Sequence, residues 1–293
     1  MRILHLDSGR ELRGGQWQVL RLLQGLAAEG VESTLLARAG SPLFEAARKQ
    51  GSHVEPLGLR RAIALARRND LVHAHDAASH TIGAVARASR LVVSRRVAFA
   101  IRSRWKYGRA RHYVAVSEFV KSVLISGGVP EEKISVVHDG VPPLEPSQGD
   151  AVMAPAYSGD LQKAAPLATE AARLAGVSLQ LSSDLERDLH QAAIFLYITR
   201  SEGLGSGALM SMSAGVPVIA SNVGGLPEII RHRENGLLVE NRTEEVAAAL
   251  NELLADRELA QRLGAAARQT VMDRFTVDRM VRRTMEVYRQ VLS

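Results

Sequence analysis

The chain has 293 residues, of which 46% are hydrophobic and 23% are charged, the composition of a folded globular protein long enough for two domains. It contains no cysteine, which excludes disulfide bonds, cysteine metal sites and thiol nucleophiles and suits the cytosol. The apolar stretch at the start is too short for a secretory signal, and the uncharged run 203–227 holds too many Gly and Pro for a membrane-spanning helix. We therefore expect a cytoplasmic protein.

The net charge of +6 is unevenly distributed. Residues 1–142 contain 22 Lys and Arg against 12 Asp and Glu, whereas residues 143–293 contain 15 against 19. The segment 87–111 carries nine Lys and Arg and no acid. Such a segment either attracts anionic lipid, phosphorylated substrate or nucleic acid, or is a solvated arginine-rich face, and both interpretations stay open. No recognised nucleic-acid motif accompanies it, so we do not expect nucleic acid as a partner.

The first half of the chain alternates strand-like and helix-like segments. A Gly14-Gly15 loop follows the first strand, and a helix with apolar residues at helical spacing then runs to Gly30. This alternation predicts a parallel sheet with helices on both faces. The predicted strands are 2–6, 33–37, 53–57, 71–75, 91–93, 113–116 and 134–137.

The stretch 139–149 is rich in Pro and Gly and is the best candidate for a linker between two domains. The alternation then restarts, and the last 50 residues are helical with breaks near Asp256 and Phe275. The predicted strands of this half are 152–157, 177–181, 194–198, 217–220 and 236–239, and its first helices are 164–174, 185–192 and 208–214.

Two glycine-rich turns follow neighbouring strands of the second half. The first spans residues 200–207 and reads RSEGLGSG, and the second contains Gly224 and Gly225 ahead of Pro227 and Glu228. A glycine-rich turn before a helix exposes backbone N–H groups and forms a natural anion site. The ends of adjacent parallel strands open on one crevice, with Glu202 at its edge. The alternative is two ordinary strand-to-helix turns with an exposed Glu.

The run 200–221 followed by 224–228 resembles the donor-binding core of glycosyltransferase family 4 (group 1), a family of retaining, metal-independent enzymes with the GT-B fold. The resemblance covers most of the chain. Residues 14–16 resemble the family's N-terminal glycine loop, and residues 72–76 resemble the strand end that faces its interdomain cleft. The remaining matches are 113–117, 127–130 and 137–141, which resemble the end of the first domain, and 275–292, which resembles the closing helix.

The resemblance implies an α/β protein of the GT-B type, with two Rossmann-like lobes, parallel sheets and a cleft between them. It implies an N-terminal domain at residues 1–141, a shortened C-terminal domain at 150–275 and a helix at 276–293 that returns to the first domain. The donor is then a nucleotide sugar, and the acceptor is a sugar, lipid-linked or phosphorylated compound. We also expect a role in cell-envelope glycan or glycolipid synthesis, with peripheral contact to an anionic membrane.

By the same resemblance, Glu202 holds a hydroxyl of the donor sugar and is a catalytic residue together with His75, near which the acceptor enters. No Asp-x-Asp motif occurs in the chain, so we expect no metal and no other cofactor. Backbone donors then stabilise the leaving nucleoside diphosphate. The candidate donor and phosphate contacts are Gly14, Gly15, Gly159, Lys163, Gly203, Gly205, Gly224, Gly225 and Glu228.

Three departures from the family pattern fall in the second lobe. Met210 occupies the position of a second Glu that binds the ribose hydroxyls in the family. Asp160 stands where the family has an Arg that contacts the diphosphate, so Lys163 is the only cation left for that contact. The spacing from Tyr157 to Glu202 is about one strand–helix unit short. These departures predict weak nucleotide binding. They keep open the alternative of a non-catalytic binding protein that retained the fold.

In the first lobe, Arg95 and Arg96 stand where many relatives carry a site histidine. They either face the cleft and bind phosphate or are solvated surface arginines. His73 and His75 share one face of a strand, and we interpret them as buried or capping histidines because no third metal ligand lies at a suitable spacing. Met210 and Met212 are most simply core packing.

Overall fold

A computed structural model describes residues 1–156 and 164–293. Gly159, Asp160 and Lys163 of the sequence-based site lie outside the described residues. The chain divides into two compact units, one formed by residues 1–140 and 277–293 and the other by residues 141–276. The boundary at Gly140 lies within the candidate linker, and each unit has a sheet of its own.

The first unit is a seven-stranded parallel sheet in the order β3-β2-β1-β4-β5-β6-β7. Its elements are β1 (Arg2–Asp7), α1 (Gly14–Ala28), β2 (Glu32–Ala37), α2 (Pro42–Lys49), β3 (His53–Pro56), α3 (Leu59–Ala66), β4 (Leu71–Ala74), α4 (Ala77–Val85), β5 (Leu91–Arg95), α5 (Arg104–Tyr107), β6 (His112–Ala115), α6 (Glu118–Ser126), β7 (Ile134–Val136) and, from the end of the chain, α13 (Val277–Leu292).

Helices α1 and α13 cover one face of this sheet. Leu22 and Leu26 of α1 share an apolar cluster with residues of α13 such as Val281 and Tyr288. Gly25 has no side chain at the point of closest approach, and a Cβ there would clash with Val281. Removing these side chains from water gains roughly 25 cal/mol per Å² of apolar surface, which fixes both helices on the strands below.

The second unit is a five-stranded parallel sheet in the order β12-β11-β10-β8-β9. Its elements are β8 (Ala151–Pro155), α7 (Ala165–Leu174), β9 (Leu179–Ser182), α8 (Leu185–Asp188), β10 (Ala192–Tyr197), α9 (Ser206–Ser213), β11 (Val218–Ser221), α10 (Leu226–Ile229), β12 (Leu237–Val239), α11 (Thr243–Ala255) and α12 (Arg257–Arg274). Strand residues such as Ile194 and Leu196 form one apolar core with Ala171 of α7 and Leu250 of α11.

The predicted fold class, α/β with parallel sheets, is confirmed, but several boundaries are wrong. Gly14 and Gly15 are not a loop: they are the first two residues of α1. The predicted helix 208–214 begins earlier, at Ser206, directly after Gly205. Glycines are permitted in the first turn of a helix, so composition alone does not show where the helix begins. Within the described residues, no helix combines the length and apolarity needed to cross a membrane.

Candidate functional site

The ends of β10, β11 and β12 are tied together by polar side chains. The Thr199 N–H donates to the Ser221 hydroxyl (2.9 Å), and that hydroxyl donates to Asn241 Oδ1 (2.6 Å). Asn241 Nδ2 in turn donates to the Thr199 carbonyl (2.9 Å). These buried or partly buried bonds fix the points from which the two glycine turns leave the sheet.

The two glycine turns are in direct backbone contact. The Gly225 N–H donates to the Glu202 carbonyl at 3.2 Å. A Cβ on Gly224, whose φ is +60°, would overlap the Glu202 carbonyl oxygen, and a Cβ on Gly225 would overlap the Gly203 carbonyl oxygen. Glycine is therefore required at both positions for the backbones to approach this closely.

Helix α9 begins at the first glycine turn. Gly205 precedes it with a φ of +109°, a conformation that favours glycine. The Tyr197 ring packs against the face of Gly207, where a Cβ would lie 2.8 Å from Cε2. The first-turn N–H groups of α9 have no carbonyl partner within the helix, so they form a partly positive terminus.

The Glu202 carboxylate, in the first glycine turn, is held by hydrogen bonds from neighbouring residues. The Tyr197 hydroxyl donates to Oε2 at 2.7 Å, and the Gly203 N–H donates to Oε1 at 3.0 Å. The side chain is half-buried. A carboxylate oxygen accepts more than one hydrogen bond, so this geometry presents an oriented acceptor for a hydroxyl group.

The remaining sequence-based residues of the second unit lie close to these turns. Glu228 is half-buried on α10, and its N–H donates to the Gly225 carbonyl at 3.1 Å. Met210 and Met212 are buried on α9, in agreement with their interpretation as core packing.

In the first unit, three buried histidines meet near the carboxyl ends of β1 and β4. His5 and His73 are register partners, and His75 follows β4. His5 Nδ1 lies 3.0 Å from His75 Nε2, and the planes of the two rings are nearly parallel, at 8°. His73 contacts the Tyr288 hydroxyl through Nδ1 (2.6 Å) and the Ser94 hydroxyl through Nε2 (2.8 Å).

Burial keeps these histidines neutral at neutral pH. It lowers the pKa of His5 to about 3 and holds the pKa values of His73 and His75 well below the usual range. Among residues 1–156 and 164–293, these three are the one group whose nitrogens lie within metal-ligand reach of one another, all within 4.8 Å. The nitrogens His5 Nδ1 and His75 Nε2 share a hydrogen bond, and both nitrogens of His73 contact hydroxyls, so the arrangement is a hydrogen-bonded one.

The sequence analysis did not find His5, since the pattern His73-x-His75 shows only two ligands. The available signal was the alternation Ile3, His5, Asp7, which puts polar side chains on one face of β1. His75 Nδ1 is buried and has no hydrogen-bond partner among the described residues. His75 Nδ1 is therefore the ring nitrogen that can form a hydrogen bond with another group.

Asp7, Arg96 and the start of α1 form the rest of this region. Asp7 accepts from the Gly9 N–H (2.8 Å) and from Gln16 Nε2 (3.3 Å), and burial raises its pKa to about 6. Arg96 Nε donates to Asp139 Oδ1 at 3.1 Å. The Arg96 side chain also passes beside Gly15, where a Cβ would lie 3.8 Å from Arg96 Cδ.

Arg95 and Arg96 are not solvated surface arginines, and that alternative is wrong. Arg95 is the last residue of β5, is only 8% exposed, and donates to the Phe99 carbonyl. The Arg96 side chain is 16% exposed and pairs with Asp139. The strand continues two residues beyond its predicted end, which draws Arg95 into the sheet.

Comparisons with known proteins agree on one family. The family model described as "Glycosyltransferase Family 4" matches residues 12–143, and the model described as "Glycosyl transferases group 1" matches residues 169–270. A GDP-mannose-dependent alpha-(1-6)-phosphatidylinositol monomannoside mannosyltransferase of Mycobacterium tuberculosis is 43% identical over 89 residues, 30% of this chain and 23% of that protein. An N-acetyl-alpha-D-glucosaminyl L-malate synthase of Bacillus anthracis is 35% identical over 105 residues, 36% of this chain and 28% of that protein. The matched segments thus span less than a third of either relative.

A crystal structure of Anabaena Alr3699/HepE in complex with UDP-glucose is similar over the whole chain. It has a TM-score of 0.87 and 16% sequence identity, and the match covers 99% of this chain and 100% of that one. This likeness shows the shared fold, two parallel α/β units of the GT-B type. The two family models, which match segments in both units, show that the chain belongs to glycosyltransferase family 4 (group 1).

Proposed function

We propose that this protein transfers a sugar from a nucleotide-sugar donor to an acceptor, with retention of the anomeric configuration and without a metal. The observation that carries the proposal is the backbone contact between the two glycine turns, with the fixed Glu202 carboxylate beside them. The donor class is supported by relatives described as GDP-mannose-dependent or as bound to UDP-glucose.

On the donor side, breaking the sugar–phosphate bond leaves the bond electrons on the nucleoside diphosphate. Preorganised N–H groups at the turn containing Gly203 and Gly205, and at Gly224-Gly225, are suited to stabilise that charge. Glu202 then accepts a hydrogen bond from a donor-sugar hydroxyl. Glu228, Gly159 and Lys163 complete the proposed donor contacts.

In the first unit, we assign His75 and Arg96 to the acceptor, with Arg95 beside Arg96. Gly14 and Gly15 remain proposed phosphate contacts, close to where the acceptor enters. A neutral His75 offers Nδ1 for one hydrogen bond to an acceptor hydroxyl. The proposed acceptor is a sugar, lipid-linked or phosphorylated compound of cell-envelope glycan or glycolipid synthesis. The protein then works in the cytoplasm, in peripheral contact with the membrane.

The test begins with binding. UDP, GDP and ADP, and their glucose and mannose derivatives, are screened by thermal shift, because a ligand that binds the folded state raises the melting temperature by mass action. Transfer with the selected donor is followed by NMR of the product's anomeric proton, with and without EDTA. We expect retention and no loss of rate with EDTA. Inversion, or a requirement for added metal, would contradict those parts of the proposal.

Glu202→Gln tests the proposed contact with the donor sugar. Hydrogen bonds to a charged group contribute about 1.5–3 kcal/mol, so the variant should lower kcat/KM by about ten- to hundredfold. Glu244→Gln, an exposed change in the first turn of α11, is the matched control and should leave kcat/KM unchanged. Equal rates for Glu202→Gln and the native protein would remove Glu202 from the mechanism.

The second candidate is a binding protein of the same fold that has lost catalysis. The buried Met210 side chain favours it, because a thioether is a weak acceptor where the family has a carboxylate. The same screen separates the two functions. Transfer with any donor excludes the second candidate, whereas no nucleotide binding and no transfer supports it.

A further inference from the structure

The segment between β5 and β6, residues 96–111, is anchored to the first unit by part of its apolar side chains. Tyr107 stacks on Tyr113 (5.6 Å between ring centroids, 11°) and meets His80 edge to face at 5.0 Å. The Tyr113 hydroxyl also donates to the Tyr107 carbonyl at 2.6 Å. Ile101 packs against Gly127, just after α6. The segment therefore has a fixed path over the surface.

Other apolar side chains of the same segment point into solvent. Phe99 is 60% exposed, Trp105 is 51% exposed and Val97 is 43% exposed. The Trp105 ring makes a cation–π contact with the Arg109 guanidinium, which lies 5.2 Å from the ring centroid. Three large apolar side chains exposed within nine residues form a patch that the fold of the unit does not use.

The segment that carries this patch is rich in positive charge. Arg102, Arg104, Arg109 and Arg111 are exposed, and no acidic residue occurs between positions 87 and 111. Within the described part of the chain, none of these four arginines forms an ion pair with a carboxylate, whereas many exposed arginines elsewhere do. Their charge is therefore available to a partner.

We propose that residues 97–111 form a docking surface for an anionic lipid bilayer, with Phe99 and Trp105 entering the interface and the arginines contacting lipid phosphates. Aromatic side chains settle at the headgroup level, where one part of the ring is in an apolar phase and another is hydrated. The lack of acids matches an anionic surface. This proposal deepens the membrane contact suggested above, but it does not depend on sugar transfer.

The experiment uses the full chain carrying Trp17→Phe, which leaves Trp105 as the sole tryptophan. The protein is mixed with phosphatidylglycerol–phosphatidylcholine vesicles or with pure phosphatidylcholine vesicles at low salt. We expect co-sedimentation with the anionic vesicles only, a blue shift of Trp105 emission, and release at about 0.5 M salt as the charges are screened. No co-sedimentation at low salt, or binding with unchanged Trp105 emission, overturns the proposal.

Variants separate the apolar and charged contributions. Arg102→Gln with Arg104→Gln should weaken vesicle binding by about twenty-five-fold, since each basic residue near such a surface contributes roughly a factor of five. Phe99→Ser should weaken binding by about tenfold, as expected for one large apolar side chain. The matched controls are Arg67→Gln with Arg68→Gln for charge and Leu174→Ser for an exposed apolar residue, and neither should change binding.

Other occupants give distinguishable results. If the control variants weaken binding as much as the patch variants, general charge rather than this surface attracts the vesicles, and the proposal is wrong. Binding of single-stranded RNA, without vesicle binding, that is lost in the patch variants would assign the surface to nucleic acid instead. Dimerisation that Phe99→Ser abolishes, with no vesicle binding, would assign it to a second copy of the chain.

Discussion

Burial raises the pKa of Asp7, at the end of β1, above that of an ordinary carboxyl group. Its pKa is about 6, against an ordinary value of 3.8, so the folded state binds this proton more tightly than the unfolded state. The stability that Asp7 contributes is complete below about pH 4 and is lost as the pH rises through about 6. At neutral pH the folded protein therefore carries the cost of a buried charge.

Asp7→Asn is expected to remove that cost. The amide keeps an oxygen to accept from the Gly9 N–H but cannot ionise. Between pH 4 and pH 7 the native protein should lose up to about 3 kcal/mol of unfolding free energy that the variant keeps. Urea denaturation across this range measures the difference, with the exposed change Glu132→Gln as control. A variant no more stable at pH 7 than the native protein would show that Asp7 does not carry a buried charge.

The residues that the sequence alone identified have contact partners close to them along the chain, whereas those that it missed have distant ones. Glu202 could be placed at a turn because its partners Tyr197 and Gly203 are five positions and one position away. His73 contacts Tyr288, which is 215 positions away, and His5 contacts His75, 70 positions away. Local patterns do not specify such pairs, because they depend on strand register and on where the closing helix packs.

At the scale of the elements, the alternation of strands and helices was readable because apolar periodicity is a local property. The starting residues of α1 and α9 could not be predicted in this way, because each helix begins among glycines whose conformation depends on what packs against them. Gly225 illustrates this dependence, because its φ of −85° is open to any residue. Only the approach of the Gly203 carbonyl requires a glycine there.

Gly225→Ala should push the two glycine turns apart. The added Cβ overlaps backbone rather than a flexible side chain, so we expect a loss of stability of about 1–3 kcal/mol, typical of overpacking, together with weaker nucleotide binding. Gly58→Ala is the control, because Gly58 has an extended backbone and no atom within 4 Å of the added carbon. Thermal unfolding and calorimetric titration measure both effects. Nucleotide binding as strong as that of the native protein would mean that the contact between the turns does not shape the proposed donor site.

At the scale of the whole molecule, the two units differ in their buried titratable groups. Burial lowers the pKa values of five histidines, and all five lie in the first unit. They are His5, His73, His75, His80 and His112. Each is neutral in the folded unit at pH values where the unfolded chain already takes up a proton. The stability that each contributes is complete above about pH 6.5 and is lost as the pH falls toward its folded pKa.

On acidification, the first unit should therefore unfold at a higher pH than the second. Below pH 6.5, each such histidine lowers the free energy of unfolding by up to about 1.4 kcal/mol per pH unit. Protonation of Asp7 has the opposite effect, but it can offset the loss from only one histidine. Hydrogen exchange at pH 7 and pH 5, corrected for the intrinsic exchange rate and read by mass spectrometry, locates the change. Peptides from β1 and β4 should lose protection at pH 5 while peptides from β10 and β11 keep theirs. Equal loss of protection in both sheets, or earlier loss in the second unit, would mean that the buried histidines do not control acid unfolding.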